Sequence, residues 1–448
     1  MKRLALASSF LLLGSAAAMA DPCDVNPSTP SYSPGDDTIS IIFDSFLAIP
    51  GNLATCDLSV PAHFNTLNDP DMFEVYSATY KGFVDDGDTA TITVEQKGFT
   101  DSAQVPGEIE TTDTYFETFA GKDGDGNIVT STTLKLPSGA VTGIDTLDYA
   151  LIATMTRDDA EDSVDQIGLG QVGLVTHLDQ QANLLTSGNL SLESKDEWGF
   201  IGGVGSFTLG ANARYNLADG FSILGGVSLI DLSAGNMGAS GVLGAAAIRY
   251  VQPDAGSFRL FGEGGIEVSG LGMSFSRTYT DSTDTHHVSG SGTGLLGAGY
   301  VRGGVLFAPN ENNEVVLSAT LKQSVLGITS YSEIVSADNP FAADLSGTSS
   351  AFTTVKLGAE WTTQISSDVD LTASAALGST AANQGSQAYV FGGGDVVGTP
   401  QSALFAEYGL RLGWDMTADS RLDGYFSGST GVGIGTHAQI GAGYHQDF

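Results

Sequence analysis

The sequence predicts an all-β protein: a C-terminal 12-stranded antiparallel transmembrane β-barrel, preceded by a pore helix and by an N-terminal β-sandwich-like domain. From residue 198 onwards, apolar and polar side chains alternate along about twelve segments. Short turns and longer polar loops tend to alternate between these segments, as in bacterial outer-membrane barrels. The chain ends on one more alternating segment, Ile440 to Phe448. Such a strand can close a barrel. Closure is required in a membrane because the backbone groups of an open sheet edge would have no hydrogen-bond partners in lipid.

The first residues predict export from the cytoplasm. Lys2 and Arg3 precede an apolar run that ends at a small-residue cleavage site, Ala18-Met19-Ala20. Residues 1–20 are therefore predicted to be a secretory signal peptide. After them, no stretch offers the roughly 18 consecutive apolar residues that a spanning helix needs. A membrane location would therefore require a barrel.

The charge of the chain argues against nucleic acid as a partner. The formal net charge is −35, whereas nucleic-acid binding needs clustered Lys and Arg on the phosphate backbone. The acid is unevenly distributed, because Asp21 to Asp165 contains 27 acidic and 5 basic residues. The remaining, longer part has a smaller excess. Two regions of different chemistry are indicated.

The two cysteines, Cys23 and Cys56, both lie in the acidic region. In an oxidising compartment they are predicted to form one disulfide. The alternative is a metal site, but His63 alone does not supply the further ligands that such a site needs. We expect no cofactor and no metal.

The pattern of residues 21–155 predicts a β-sandwich-like N-terminal domain of short strands such as Thr38–Phe46 and Phe73–Phe83. The segment Lys122 to Asn127 spaces its acidic residues as a calcium loop does, but Ile128 and Leu134 occupy positions that such a loop reserves for Gly and Glu. A hairpin turn is the favoured interpretation. No G-x-S-x-G, H-E-x-x-H or P-loop motif occurs, so we expect no enzyme.

Residues 156–197 predict a linker and a helix. Thr156 to Asp162 is acidic and polar, which indicates a connector. Ser163 and Gln166 form a capping box, and apolar residues then recur at helical spacing through to Gly188. The helix is long enough to cross a bilayer but too polar to face lipid. It either threads the pore or packs as a linker helix on the sandwich.

Residues 198–448 predict the barrel itself, from Trp198–Gly205 to His437–Phe448. Flexible polar loops are expected at Thr280–Thr293, Ser336–Ser350 and Ser379–Ser402. Charged residues that share one face of their strands are expected to point into the lumen, because an Arg on the lipid face would cost roughly 2–4 kcal/mol at mid-membrane. These lumen charges are Arg214, Arg259, Glu263, Lys356, Glu360, Glu407 and Arg411.

Residues 163 to 448 resemble the translocator domain of type V autotransporters. The run GANARYNLADGFSILGGVSL, from Gly210 to Leu229, resembles the strand–ADG–strand hairpin of that family, and the ending YHQDF resembles its terminus. The resemblance implies that the helix threads the pore and links a surface-exposed passenger to its membrane anchor. It also implies that Ile440, Tyr444 and Phe448 form a C-terminal signal for the outer-membrane assembly machinery. The passenger is unusually short for the family and carries two cysteines, which the family tends to avoid.

Three functions follow as hypotheses. The first is an outer-membrane protein that displays a small acidic β domain to an unknown surface ligand, for adhesion or another interaction. The second is a porin-like or structural barrel in outer-membrane lipid, with its N-terminal domain in the periplasm. The third is a hydrolase passenger, which the missing nucleophile motifs disfavour. The helix contains no Asn-Asn pair, so self-cleavage of the passenger is not supported.

Overall fold

The computed structural model describes most of the chain after the first 22 residues. The described ranges are 23–49, 53–61, 71–84, 90–96, 104–109, 114–122, 126–135, 141–186, 195–218, 220–253, 256–345 and 347–447. The predicted signal peptide, His63, the acidic residues of the Lys122–Asn127 segment and Phe448 all lie outside the described residues.

The N-terminal domain consists of two β-sheets. Its described strands are β1 (Cys23–Val25), β2 (Ser31–Ser33), β3 (Thr38–Ala48), β4 (Leu53–Pro61), β5 (Met72–Val84), β6 (Ala90–Gln96), β7 (Gln104–Ile109), β8 (Thr114–Gly121), β9 (Asn127–Lys135) and β10 (Thr142–Thr156). One sheet has the order β1-β3-β10-β5-β8, with β2 also paired to β3, and the other has the order β4-β9-β6-β7. The predicted sandwich-like arrangement is therefore confirmed. The sequence pattern did not predict the two short strands β1 and β2, nor β4 and β7, which contain Pro61 and Pro106.

The core of this domain lies between the two sheets. Ile41 and Tyr80 come from the larger sheet, and Ile128 and Leu134 come from the smaller one. All four side chains are almost completely buried. The Tyr80 hydroxyl meets the Thr132 hydroxyl of the facing sheet at 2.9 Å, so the one polar end in this group is satisfied.

In the part of the chain that the structure describes there is one helix, α1 (Arg157–Thr186), and it follows β10 without an intervening residue. The predicted connector Thr156 to Asp162 is therefore wrong, because all but its first residue is helical. Among the described residues, no helix combines the length and the apolar character that a membrane crossing requires.

Twelve antiparallel strands form a closed barrel around α1, as predicted. They are β11 (Glu197–Val204), β12 (Phe207–Ala218), β13 (Phe221–Ala234), β14 (Met237–Val251), β15 (Phe258–Thr280), β16 (Thr285–Asn310), β17 (Asn313–Ile328), β20 (Thr348–Ser366), β21 (Val369–Ala382), β24 (Ser402–Thr417), β25 (Ser420–Gly431) and β26 (Gly435–Asp447). The barrel closes where β11 pairs with β26, from Glu197 opposite Asp447 to Val204 opposite Ile440. No edge of the barrel sheet is left open along this seam.

The outer surface of the barrel is apolar. Along β20, for example, Val355 and Leu357 are exposed while Lys356 between them is buried. The same alternation exposes large apolar residues around the barrel, including Leu229, Ile248, Ile266, Val301, Leu321, Leu377, Leu404 and Ile440. A continuous apolar exterior on a closed antiparallel barrel is typical of an outer-membrane protein, since hydrocarbon surrounds such strands.

The two ends of the barrel differ in their connections. At the turn end, connections such as Ala218 to Phe221 and Asn310 to Asn313 are short. Gly220 has a φ of +80°, and a Cβ there would overlap the carbonyl oxygen of Val251, so this turn requires glycine. Exposed aromatic residues surround the turn end, namely Tyr215, Phe221, Tyr250, Phe258, Phe307, Trp361 and Trp414.

The opposite end, the loop end, carries structure where the sequence indicated flexible loops. Short strands β18 (Tyr331–Ser332), β19 (Ala343–Leu345), β22 (Gln387–Val390) and β23 (Gly394–Val397) form one sheet from two connections. The expected loop Thr280–Thr293 is mostly strand, because β15 and β16 continue far beyond the barrel rim and leave only four residues between them. A bilayer requires about 9–11 residues per strand, whereas β16 has 26 residues.

Candidate functional site in the barrel lumen

The helix begins where β10 ends. Thr156 caps it, since the backbone N–H of Asp159 donates to Thr156 Oγ1 at 3.1 Å and Thr156 Oγ1 donates to Asp159 Oδ2 at 2.5 Å. The predicted cap at Ser163 is wrong, because Ser163 lies inside the helix and its hydroxyl donates to the Ala160 carbonyl. Both Thr156 and Ser163 fit a capping pattern. The helix begins at the earlier position, directly after the last residue of β10.

A network of five charged side chains holds the middle of the helix in the lumen. Asp179 accepts from Lys322 at 2.9 Å and from Lys356 at 2.7 Å. Lys322 also pairs with Glu267, and Lys356 pairs with Glu407 at 3.0 Å. Asp179, Lys322 and Glu267 are each less than a tenth exposed. Buried charges are tolerated when they are paired in this way, and removal of one partner leaves an uncompensated charge.

Polar side chains on the same stretch of helix bond to the barrel wall. Thr176 Oγ1 donates to Thr380 Oγ1 at 3.0 Å, and His177 Nδ1 lies 2.7 Å from Ser429 Oγ. Gln181 accepts from the Thr208 hydroxyl at 2.7 Å. These contacts explain why the helix is too polar for lipid, because its polar residues meet polar residues of the wall.

A wall residue also caps the C-terminal end of the helix. Arg249 Nη2 donates to the Thr186 carbonyl at 3.0 Å, while Arg249 Nε pairs with Glu263 at 2.6 Å. The hydroxyl of Tyr300 donates to the other oxygen of Glu263. A helix C-terminus presents carbonyls without intrahelical partners, and a cation is a favourable neighbour there.

The glycines of the helix lie where the wall comes closest. A Cβ on Gly173 would lie 3.0 Å from Ile434 and 3.1 Å from Ala234. Gly170 is similarly crowded by Met237 and Asn236. The close packing of helix against wall therefore requires these small residues, which lower intrinsic helix propensity.

The helix does not fill the lumen completely. At the turn end, a cavity of about 650 Å³ lies between Leu184 and the wall formed by β20, β21, β24, β25, β26, β11 and β12. Arg214, Glu360 and Arg411 line it. Arg214 pairs with Glu197 at 3.0 Å, so charges of both signs face this space.

The seven lumen charges predicted from the sequence occupy four environments. Lys356 and Glu407 belong to the network around Asp179, and Glu263 belongs to the helix end. Arg214, Glu360 and Arg411 line the cavity, and Arg259 is half-buried near the turn end. Lys322 and Arg249 were not among the predicted lumen charges. Their alternation with exposed apolar neighbours on β17 and β14 would have indicated them.

The other proposed site residues lie away from the lumen. Cys23 and Cys56 form a disulfide within the N-terminal domain. On the last strand, Ile440 is exposed on the outer surface, and the Tyr444 ring contacts Trp198 edge-on at a centroid distance of 6.3 Å. Within the described ranges, no group of His, Cys, Asp and Glu residues could hold a metal ion.

Comparisons with known proteins find similarity among solved structures only. No protein-family model matches the chain, and no curated protein matches it. Among solved structures, the chain is similar to the translocator domain of the autotransporter NalP from Neisseria meningitidis, with 17% identity and a TM-score of 0.44 over 62% of this chain and 97% of that chain. It is also similar to the β domain of the Bordetella autotransporter BrkA, with 14% identity and a TM-score of 0.37 over 57% of this chain and 100% of that chain. The transport unit of AIDA-I from Escherichia coli matches with 13% identity and a TM-score of 0.36 over 62% of this chain and 97% of that chain.

The architecture predicted from the resemblance to type V autotransporters is confirmed. The barrel closes with twelve strands, and a helix that precedes it in sequence occupies its lumen. The helix enters at the loop end, where β10 delivers it, and ends at the turn end beside Arg249. The chain can therefore pass through the barrel once before it forms the wall.

Proposed function

We propose that this protein displays its acidic N-terminal β domain on the cell surface, anchored by an outer-membrane barrel. The observation that carries the proposal is the path of the chain. β10 leads directly into α1, α1 passes along the lumen, and the barrel strands begin at the turn end. The N-terminal domain is thereby held at the loop end. In bacterial barrels the longer loops face the exterior and the short turns face the periplasm.

The contents of the lumen support display over conduction. Asp179 of the helix bonds to wall residues Lys322 and Lys356, and Thr176 and His177 bond to two further strands. These contacts occupy the barrel interior between the loop end and the cavity at the turn end. The displayed domain would act by adhesion or another interaction with a surface ligand, and we propose no catalytic role for it.

Labelling of intact cells with a membrane-impermeant maleimide tests this orientation. Asp145→Cys places a thiol on an exposed residue of β10, remote from the barrel, and Glu311→Cys places one in the turn between β16 and β17. We expect Asp145→Cys to react on intact cells and Glu311→Cys to react only after the outer membrane is permeabilised. The reverse pattern would overturn the proposal and favour a porin-like barrel with a periplasmic domain. Reaction of both sites on intact cells would also contradict it.

A further inference from the structure

Two parts of the barrel reach beyond its rim and meet the base of the N-terminal domain. One is the loop sheet of β18, β19, β22 and β23, and the other is the tip of the β15–β16 hairpin. Together, residues 331–345, 387–397 and 279–286 are called the socket. The base of the domain is formed by the start of β5 and the end of β10.

An apolar core joins the socket to the base. Phe73 and Val75 of β5 and Met155 of β10 are at most 2% exposed, as are Phe341 and Phe391 of the socket. These residues form one cluster with the first turns of the helix, separate from the core between the sheets of the sandwich. Apolar burial of this kind is the main favourable term in a stable association. A domain on a free tether would leave these side chains in water.

The backbones of the two parts also approach closely. The N–H of Ser282 at the hairpin tip donates to the Thr154 carbonyl at 2.9 Å, and the Thr154 N–H donates to Ser282 Oγ at 3.0 Å. On the other side of the base, the N–H of Glu74 donates to the Gly392 carbonyl at 3.4 Å. A Cβ on Gly393 would overlap the ring of Phe73. The surfaces therefore fit each other at the level of single side chains.

Side chains at the junction strengthen the same contact. Arg157 lies over the Phe73 ring, 5.9 Å from its centroid, and donates to the Asp395 carbonyl of the socket at 3.2 Å. Inside the socket, Asp281 accepts from Thr283 and pairs with His286 at 2.9 Å. Burial alone would raise the pKa of Asp281, but hydrogen bonds from Thr283 and Asp284 hold it below its ordinary value. The hairpin tip is thus an ordered contact surface.

We propose that the socket is a docking surface that holds the N-terminal domain in one fixed orientation on the barrel, as a rigid cap. The partner that fits the socket is the domain's own base. The inference does not depend on which side of the membrane the domain faces, so it stands apart from the display proposal. A fixed cap presents the same faces of the sandwich to any ligand, whereas a tethered domain would sample many orientations.

Distances between spin labels in the full-length protein, reconstituted in lipid nanodiscs, test the fixed orientation. Labels at Asp145→Cys and Val432→Cys report the domain and the barrel rim, because Val432 is 88% exposed in the last turn of the loop end. The two native cysteines are already joined to each other. We expect a single narrow distance distribution. A broad distribution in the otherwise unchanged protein would overturn the proposal.

Variants on each side of the interface assign the effect to the socket. Gly393→Val on the socket and Phe73→Asp on the domain should each broaden the distribution severalfold. Ile42→Asp, on an exposed apolar residue of the same domain, is the matched control and should leave it narrow. The mobility shift of the folded barrel on unheated gels checks that each variant has assembled. An unchanged narrow distribution in assembled Gly393→Val and Phe73→Asp would overturn the assignment.

A pair of compensating substitutions separates a lost fit between the two surfaces from a general folding defect. Phe73→Ala removes the ring that a valine at position 393 would overlap. The double variant Phe73→Ala/Gly393→Val should therefore give a narrower distribution than Gly393→Val alone. A distribution as broad as that of the single variant would contradict the proposed fit between the two surfaces.

Discussion

The sandwich and the barrel use the same strand pattern with opposite outcomes. In the sandwich, Ile41 and Leu134 are buried in the core between the sheets, while Ile42 next to Ile41 is 44% exposed. In the barrel, Leu357 and Ile266 point outwards, while their sequence neighbours Lys356 and Glu267 are buried inside. Alternation alone therefore specifies an apolar face and a polar face, but not which of them points inwards. The surroundings of the strands decide this, since hydrocarbon accepts the apolar face of the barrel and the polar lumen accepts the charged face.

The largest effect is expected where the lumen depends on paired charges. Asp179→Ala leaves Lys322 and Lys356 with one carboxylate each. Removing one partner of a buried ion pair costs about 3–5 kcal/mol where the remaining charge is left without a partner. Because both lysines keep a glutamate here, the free energy of unfolding of the barrel should fall by about 3 kcal/mol, the lower end of this range. Urea denaturation of protein reconstituted in lipid measures the change. Asp162→Ala, at an exposed acidic position of the same helix, is the control. Equal stability of the two variants would show that the network does not hold the helix.

An intermediate effect should distinguish the two outer surfaces. Leu357 is 64% exposed on the middle of β20, and Leu53 is 63% exposed on β4 of the sandwich. Leu357→Arg should destabilise the barrel by roughly 2–4 kcal/mol, the cost of Arg at mid-membrane. Leu53→Arg should change stability by less than about 0.5 kcal/mol, as is usual for a surface substitution. Folding into vesicles followed by denaturation measures both. A similar small change for Leu357→Arg would contradict the lipid-facing assignment.

The smallest effect at neutral pH concerns the core of the sandwich. Burial raises the pKa of Tyr80 to about 12, although hydrogen bonds from Thr132 and Thr130 oppose the rise. The folded state therefore favours the neutral phenol. The stability that this contributes is complete below the unfolded pKa of about 10 and is lost as the pH rises towards 12.

Replacement of this tyrosine tests the linkage. At pH 7, Tyr80→Phe should cost about 1 kcal/mol through the hydrogen bond to Thr132. Between pH 10 and 12 the variant should lose less stability than the unchanged protein. Near-UV circular dichroism during alkaline titration follows the sandwich, and Tyr215→Phe on the exposed barrel surface is the control. Identical alkaline transitions for Tyr80→Phe and the unchanged protein would exclude the proposed linkage.

Local sequence patterns predicted the barrel strands well but failed at several other elements. The first barrel strand, expected at Trp198–Gly205, is Glu197–Val204, because alternation and a glycine turn define it locally. The helix start was wrong because two capping patterns lie seven residues apart. β4 and β7 were missed because β4 ends in Pro61 and β7 contains Pro106, a residue that usually demotes a segment as a strand.

Long-range pairing explains why the site was only partly predicted. Glu407 and Lys356 were expected in the lumen from their strand faces alone. Their common partner Asp179 lies 177 residues from Lys356 along the chain, so no local pattern joins them. The loop sheet shows the same difficulty. Each of its two connections forms a two-stranded hairpin, and the pairing of β19 with β22, which lie far apart in the sequence, joins the hairpins into one sheet.

The sequence by itself determined the strand alternation, the short turns, the excess of acid in the N-terminal domain and the presence of one polar helix. Only the tertiary structure decided where that helix lies, which charges pair with Asp179, and that the loop end forms a socket for the domain. The physical reason is the range of each interaction. Periodicity and turn geometry act between residues close in sequence, whereas buried ion pairs and apolar interfaces join residues that only the closed barrel brings together.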